Sequence, residues 1–206
     1  MWLYVAIAIA VGYLLGNING AVCVSRLLGD DVRSHGSGNA GLTNFIRSYG
    51  GGRALTVILI DAGKAVAACL FGGLLLMQWA SFRTGAALGG AAVMLGHVFP
   101  AFLGFRGGKG ILSGLFVAIM VDYRVALLIL AVFAVAYLTT RYVSLGSVLA
   151  AITFGVGFVV IYHNDLTVML CGVFMSLLAT FMHRQNILRL LKGEERKTDL
   201  FKKDKE

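Results

Sequence analysis

The chain is poor in charge. Acidic and basic side chains make up only 14% of its 206 residues, while hydrophobic residues make up 58% and mean hydropathy is +0.83. A water-soluble domain of this size cannot bury so large an apolar share, so the composition excludes the soluble globular classes and makes lipid the expected solvent. Cysteine is scarce as well. Cys23, Cys69 and Cys171 stand alone in apolar runs, without metal-ligand spacing or a disulfide framework, and read as small core residues. Only ten residues are acidic, and they form no cluster of the kind that holds paired metal ions, so no metal and no cofactor are expected. The net charge of +8 fits the basic loops of a membrane protein, and no nucleic-acid partner is expected.

What the chain has is apolar runs. Segments at about 2–26, 54–77, 84–103, 110–121, 124–140, 144–162 and 166–183 are separated by Gly, Asn or charge. A spanning helix needs roughly 20 apolar residues, and backbone in lipid must be helical to satisfy its own polar groups. The expected fold is therefore all-α, a polytopic integral membrane protein of seven transmembrane helices. The run 110–121 is short, and the alternative fuses 110–140 into one tilted helix through Asp122-Tyr123-Arg124. Parity favours seven, because polar segments at 30–53, 104–109 and 183–193 then share one face. On that threading every Lys and Arg except Arg83 and Arg124 lies at or near the same face, which marks it as cytoplasmic and puts the amino terminus outside. The first run lacks a basic leader and continues past Asn17 and Asn19 to Leu28, so it reads as a retained helix. Gly72-Gly73, Gly85-Ala86-Ala87 and Gly89-Gly90-Ala91-Ala92 allow close helix contact. One membrane domain, 1–193, is expected, followed by a basic cytoplasmic tail, 194–206, suited to anionic headgroups and without a catalytic role.

Three polar islands carry the chemistry. The first is Gly36-Ser37-Gly38-Asn39-Ala40-Gly41-Leu42-Thr43-Asn44, with Arg47 about one turn beyond. Its glycines allow tight turns and close backbone approach, its N–H groups can form an anion nest, and a helix from about Leu42 to Tyr49 would aim its amino end at the same place. The second is Phe105-Arg106-Gly107-Gly108-Lys109-Gly110. It lacks the spacing and hydroxyl of a Walker A loop, but two cations, glycine-freed donors and a following helix describe a phosphate cradle. In the third, His183 and Asn186 are three apart and share a helical face. Asp61 and Lys64 are also three apart inside their helix; they read as a structural ion pair or as the back wall of the site, with structure favoured. Arg141 occupies a tight turn from which it can reach an anion, and His97 precedes Pro100 at a helix end.

No His is followed five residues later by Asp, and no Gly-x-Ser-x-Gly elbow is present. The islands are rich in cations and amides, which suits substrates that bring their own negative charge. Together with Gly193-Glu194, Gly96-His97-x-Phe99-Pro100 and Arg141-Tyr142-Val143-Ser144-Leu145, they closely resemble the motifs of the bacterial acyl-phosphate:glycerol-3-phosphate acyltransferases of the PlsY type, over about Gly12 to Glu195. Where that family often has Ser and Pro after the first-helix Gly, this chain reads Gly16-Asn17-Ile18-Asn19-Gly20.

The resemblance implies a seven-helix enzyme of the bacterial plasma membrane with a cytoplasmic site. It would move an acyl group from acyl phosphate to the 1-hydroxyl of sn-glycerol 3-phosphate, giving lysophosphatidic acid and phosphate. Ser37, Arg47 and Lys109 would hold phosphate, Asn39 and the motif glycines would shape the pocket, and His183 and Asn186 would lie beside the reacting groups. Either His183 or a substrate phosphate can take the hydroxyl proton, and the missing His–Asp dyad favours the phosphate. The competing reading is a transporter of phosphate or phosphate esters. It fits less well because transporters place their binding groups near the midplane.

Overall fold

The structure is a computed structural model that describes residues 1–198; the last eight residues of the basic tail, 199–206, lie outside the described residues. The described residues form helices and connecting loops, with no strand among them. α1 (Trp2–Gly16) and α2 (Gly20–Leu27) make one broken apolar segment. The break lies where Asn17 and Asn19 stand. Asn19 caps α2 by accepting from the Val22 N–H at 3.0 Å, and Asn17 accepts from the Phe102 N–H at 3.1 Å. A short amphipathic helix, α3 (Leu42–Tyr49), precedes α4 (Ala54–Leu76), and α5 (Phe82–Val98) starts at a Ser81 cap.

α6 (Ile111–Val121) and α7 (Tyr123–Thr140) are separate helices. The chain is extended at Asp122, whose carboxylate caps α7 through the Arg124 N–H at 2.8 Å, so the fused 110–140 helix does not form. α8 (Val143–Ile161), α9 (Leu166–Met182) and α10 (Arg184–Leu191) follow, with α10 bent 55° from α9. By length and composition the described residues provide five candidate spans, or six if α9 and α10 count as one. Seven full-length spans are more than these lengths provide. The 11 residues of α6 reach only about 16 Å into a hydrocarbon layer of about 30 Å.

Small residues let the backbones touch. A Cβ on Gly16 would stand 2.3 Å from the Val93 carbonyl, and one on Gly72 would stand 2.4 Å from that of Gly85. That contact seals α1, α4 and α5 together without large side chains. The main core joins α4 to α9 through Val93, Val117, Val125, Phe158 and Met175. A second, smaller core of Val22, Val32, Ala40, Phe45 and Val57 lies beneath the first polar island. Outward-facing Leu59, Leu74, Leu127, Leu138, Val160 and Leu177 are exposed, as a lipid-facing surface requires.

The two ends of the bundle differ. At one end Tyr4 packs on Trp79 with ring centroids 4.4 Å apart, Tyr162 donates to Asp122 at 2.8 Å, and Thr84 donates to Asp165 at 3.2 Å. Trp2 and Tyr123 are exposed there, and Trp and Tyr are the residue types enriched at membrane–water interfaces. The opposite end holds all three polar islands.

Candidate active site

Asn44, buried in the first turn of α3, organises the first island. Its Oδ1 accepts from the Ser37 N–H at 2.9 Å, and its Nδ2 donates to the carbonyls of Val32, His35 and Asn39 at 3.0, 3.1 and 3.1 Å. The amide expected to bind substrate is thus committed to holding the loop. Gly36 and Gly38 take left-handed φ values of +56° and +68°, which L side chains rarely adopt. A Cβ on Gly36 would also come within 2.4 Å of the Asn44 Oδ1. The Asn19 side chain donates to the Ala40 carbonyl at 2.9 Å, tying the loop to the kink in the first segment. Arg33 donates to the Leu103 carbonyl at 2.8 Å and so links it to the stretch before the second island.

The second island folds back on the end of α5. The N–H groups of Gly107 and Gly108 donate to the carbonyls of Val98 and His97 at 3.2 and 3.1 Å. These two donors, expected to be free for phosphate, are spent on the fold. The glycines are needed for close approach: a Cβ on Gly107 would sit 1.9 Å from the His97 carbonyl, and one on Gly108 would sit 2.2 Å from His97 Nε2. Gly110, at φ +83°, then starts α6, whose first residues border the cavity. An N-terminal helix end there adds unpaired N–H groups and partial positive charge.

The third island joins the second directly. Lys109 Nζ donates to Asn186 Oδ1, and Asn186 Nδ2 donates to Glu195 Oε1 at 3.0 Å. Glu195 also accepts from Arg189 Nε at 2.7 Å. His183 Nδ1 lies 2.8 Å from the Ala179 carbonyl. A carbonyl only accepts, so Nδ1 carries the proton in the neutral ring and Nε2 presents a lone pair. The chain then turns back across the site. Arg47 donates to the Thr198 hydroxyl, the Thr198 N–H donates to the Arg141 carbonyl at 3.1 Å, and the Tyr137 hydroxyl donates to the Thr198 carbonyl at 3.2 Å.

These elements enclose a cavity of about 410 Å³, within the usual range for small-molecule sites. Its polar end is lined by Ser37, Asn39, Thr43, Asn44, Arg47, His97, Lys109, Gly110, His183 and Asn186. Its other end is apolar, with Met94, Leu115, Phe133, Phe154 and Met175. Gly36, Gly38, Gly107, Gly108 and Arg141 are not among the lining residues. Arg141 instead sits in a left-handed turn, φ +63°, between α7 and α8, where it offers its carbonyl to Thr198.

Sequence reasoning missed Glu195, which looked like solvated tail but is buried against Asn186 and Arg189, and Thr198, for which no local signal exists. It also passed over Ser144 and Ser147 as cavity residues; their spacing places them on one face of α8.

The site is electropositive. Burial, together with the positive charge of Arg189, lowers Lys109 to about 8. Burial likewise lowers Arg47 from its usual value. Burial would raise Glu195, but its bonds to Arg189 and Asn186 outweigh this and hold it below the usual carboxylate value. Burial, helped by the Lys109 charge, takes His183 down to about 4, so its ring is neutral at pH 7.

The family model described as glycerol-3-phosphate acyltransferase matches residues 6–193. A glycerol-3-phosphate acyltransferase of Thermoanaerobacter sp. (strain X514) is 39% identical over 196 residues, covering 95% of this chain and 96% of its own length. One of Anaeromyxobacter dehalogenans (strain 2CP-C) is 38% identical over 193 residues, covering 93% and 96%. The crystal structure of PlsY (YgiH), an integral membrane glycerol 3-phosphate acyltransferase, is similar in both its forms. The glycerol 3-phosphate form has a TM-score of 0.85 at 32% identity, covering 96% of this chain and 99% of that one. The lysophosphatidic acid form has a TM-score of 0.82 at 31% identity, covering 95% of each. The motifs, the all-helical membrane fold and these likenesses agree: the chain belongs to the glycerol-3-phosphate acyltransferase family, as an integral membrane protein of the PlsY type.

Proposed function

We propose that this protein transfers a fatty acyl group from acyl phosphate to the 1-hydroxyl of sn-glycerol 3-phosphate, releasing 1-acylglycerol 3-phosphate and inorganic phosphate. The observation that carries this reading is the single cavity that joins a cationic polar end to an apolar end. The polar end suits two phosphate-bearing reactants and the apolar end suits an acyl chain. Lys109 and Arg47 offset the repulsion between the phosphates, with Ser37, Asn39 and the start of α6 as further donors.

The neutral His183 offers its Nε2 lone pair to the attacking hydroxyl and orients it. Burial and the Lys109 charge disfavour its protonated form, so the proton is assigned to the phosphate. The hydroxyl oxygen forms the new ester bond to the acyl carbon, the bond from that carbon to the phosphate oxygen breaks, and the hydroxyl proton leaves with the phosphate. The mixed anhydride has a good leaving group, so positioning and charge neutralisation are what the protein must add.

The topology belongs to the same proposal. The chain passes seven times between the aromatic end and the site end, with α6 as a pass too short to span fully. The site end faces the cytoplasm of a bacterial plasma membrane, with the amino terminus outside. The catalytic domain extends past 193 to include Glu195 and Thr198.

Purified protein given acyl phosphate or acyl-CoA, with glycerol 3-phosphate and a chelator, tests donor and cofactor together. Lysophosphatidate is expected only from acyl phosphate, and undiminished by the chelator. Product from acyl-CoA, or loss of product with chelator, would refute the corresponding part.

A further inference from the structure

Behind the second island lies a buried array that the proposed chemistry does not use. Asp61, Lys64 and His97 are all at most 5% exposed. The Lys64 ammonium has three donors, and all three are taken: Asp61 Oδ1 at 2.7 Å, the Ile18 carbonyl at 2.5 Å and His97 Nδ1 at 2.7 Å. The second partner of Asp61 Oδ1 is the Gly20 N–H at 3.1 Å. An ammonium cannot accept, so His97 Nδ1 must accept from it, and the ring proton is on Nε2. This is the tautomer opposite to that of His183.

The Nε2–H has no hydrogen-bond partner among the described residues, and His97 lines the cavity. A donor held in a fixed direction at the polar wall of a cavity, with no protein acceptor, marks a place where a ligand acceptor can bind. The charge of Asp61, which also borders the cavity, is neutralised by Lys64. Nε2 lies against Gly108, next to Lys109.

We propose that His97, locked in its Nε2–H form by Lys64 and Asp61, is a substrate-binding residue that donates to a phosphate oxygen in the cavity. This rests on the acyl-transfer reading, in which both reactants carry phosphate. The two sources are told apart by which KM responds.

His97→Asn keeps an acceptor near Nδ1 for Lys64 but has nothing at the Nε2 position; His97→Gln restores an N–H donor there. His97→Asn should melt with the wild type, yet show KM for glycerol 3-phosphate or for acyl phosphate raised roughly ten- to a hundredfold, the size of a lost hydrogen bond to a charged group. His97→Gln should recover most of that loss. Wild-type KM values for both substrates in His97→Asn would overturn the proposal, as would parallel loss of stability and activity in both variants.

A reading free of mutation comes from wild-type protein carrying ¹⁵N-labelled histidine. A protonated His97 Nε2 should be seen, and its resonance should move when glycerol 3-phosphate or inorganic phosphate is added. An Nδ1–H tautomer, or no movement with either anion, would refute the assignment. Failure of the wild type to acylate glycerol 3-phosphate would count against the enzyme reading alone, because the phosphate titration judges His97 separately.

Discussion

Replacing Lys109 by Met removes an ammonium and leaves a side chain of similar length. One of its three donors goes to Asn186; no partner among the described residues takes the other two. If both engage substrate phosphate, each contributes about 1.5–3 kcal/mol as a hydrogen bond to a charged group. Their loss then lowers kcat/KM about 10²- to 10⁴-fold at 1.36 kcal/mol per decade.

Stability should move the other way. Burial lowers Lys109 from 10.5 to about 8, so the folded state disfavours its charged form. That penalty is fully present below pH 8, is relieved as pH rises toward 10.5, and amounts to up to about 3 kcal/mol. Lys109→Met should therefore melt no lower than wild type at pH 7 while transferring acyl groups hundreds of times more slowly. The assay is phosphate release from acyl phosphate in detergent, beside a thermal melt of the same sample. A variant within threefold of wild-type kcat/KM, or one inactive only because it unfolds, would refute the reasoning.

Three further outcomes are expected. kcat/KM for glycerol 3-phosphate should fall as pH rises through about 8, where free Lys109 loses its proton; Lys109→Arg, which stays charged, should abolish that limb, and a flat profile to pH 9.5 in the wild type would contradict it. Gly108→Ala places a Cβ 2.2 Å from His97 Nε2 and 2.9 Å from the Ala40 carbonyl, so the loop must shift at a cost of about 1–3 kcal/mol, with at least a tenfold loss in kcat/KM by the same assay. Asn44→Ala frees the Ser37 N–H and three carbonyls at once, and should lower the melting temperature as well as activity, by at least about 1–3 kcal/mol in denaturation experiments.

The membrane class and the motif residues were legible because both are local properties. Apolar runs announce helices, and dense Gly, Asn and Lys mark polar segments that the fold gathers at one cavity. The Asp61–Lys64 ion pair was legible too, from its helical spacing. Three things were not. The division of labour inside the motifs depends on which hydrogen bonds the fold consumes: Asn44 and the N–H groups of Gly107 and Gly108 look like ligand donors in sequence but are spent on the backbone. The Arg141 turn directs its carbonyl toward Thr198, a contact 57 residues away that no spacing rule reaches. The third gap is Glu195, whose place beside Asn186 follows from the bend between α9 and α10, a tertiary feature set by packing.

The central claim is that one cavity at one membrane face holds two phosphate-bearing reactants and joins them. The most direct test incubates the protein in sealed vesicles with labelled glycerol 3-phosphate and acyl phosphate on the side of the carboxyl terminus. Label should appear in membrane-bound lysophosphatidate, with one inorganic phosphate released per acyl group transferred. Label accumulating across the bilayer as unchanged glycerol 3-phosphate, with acyl phosphate untouched, would contradict it.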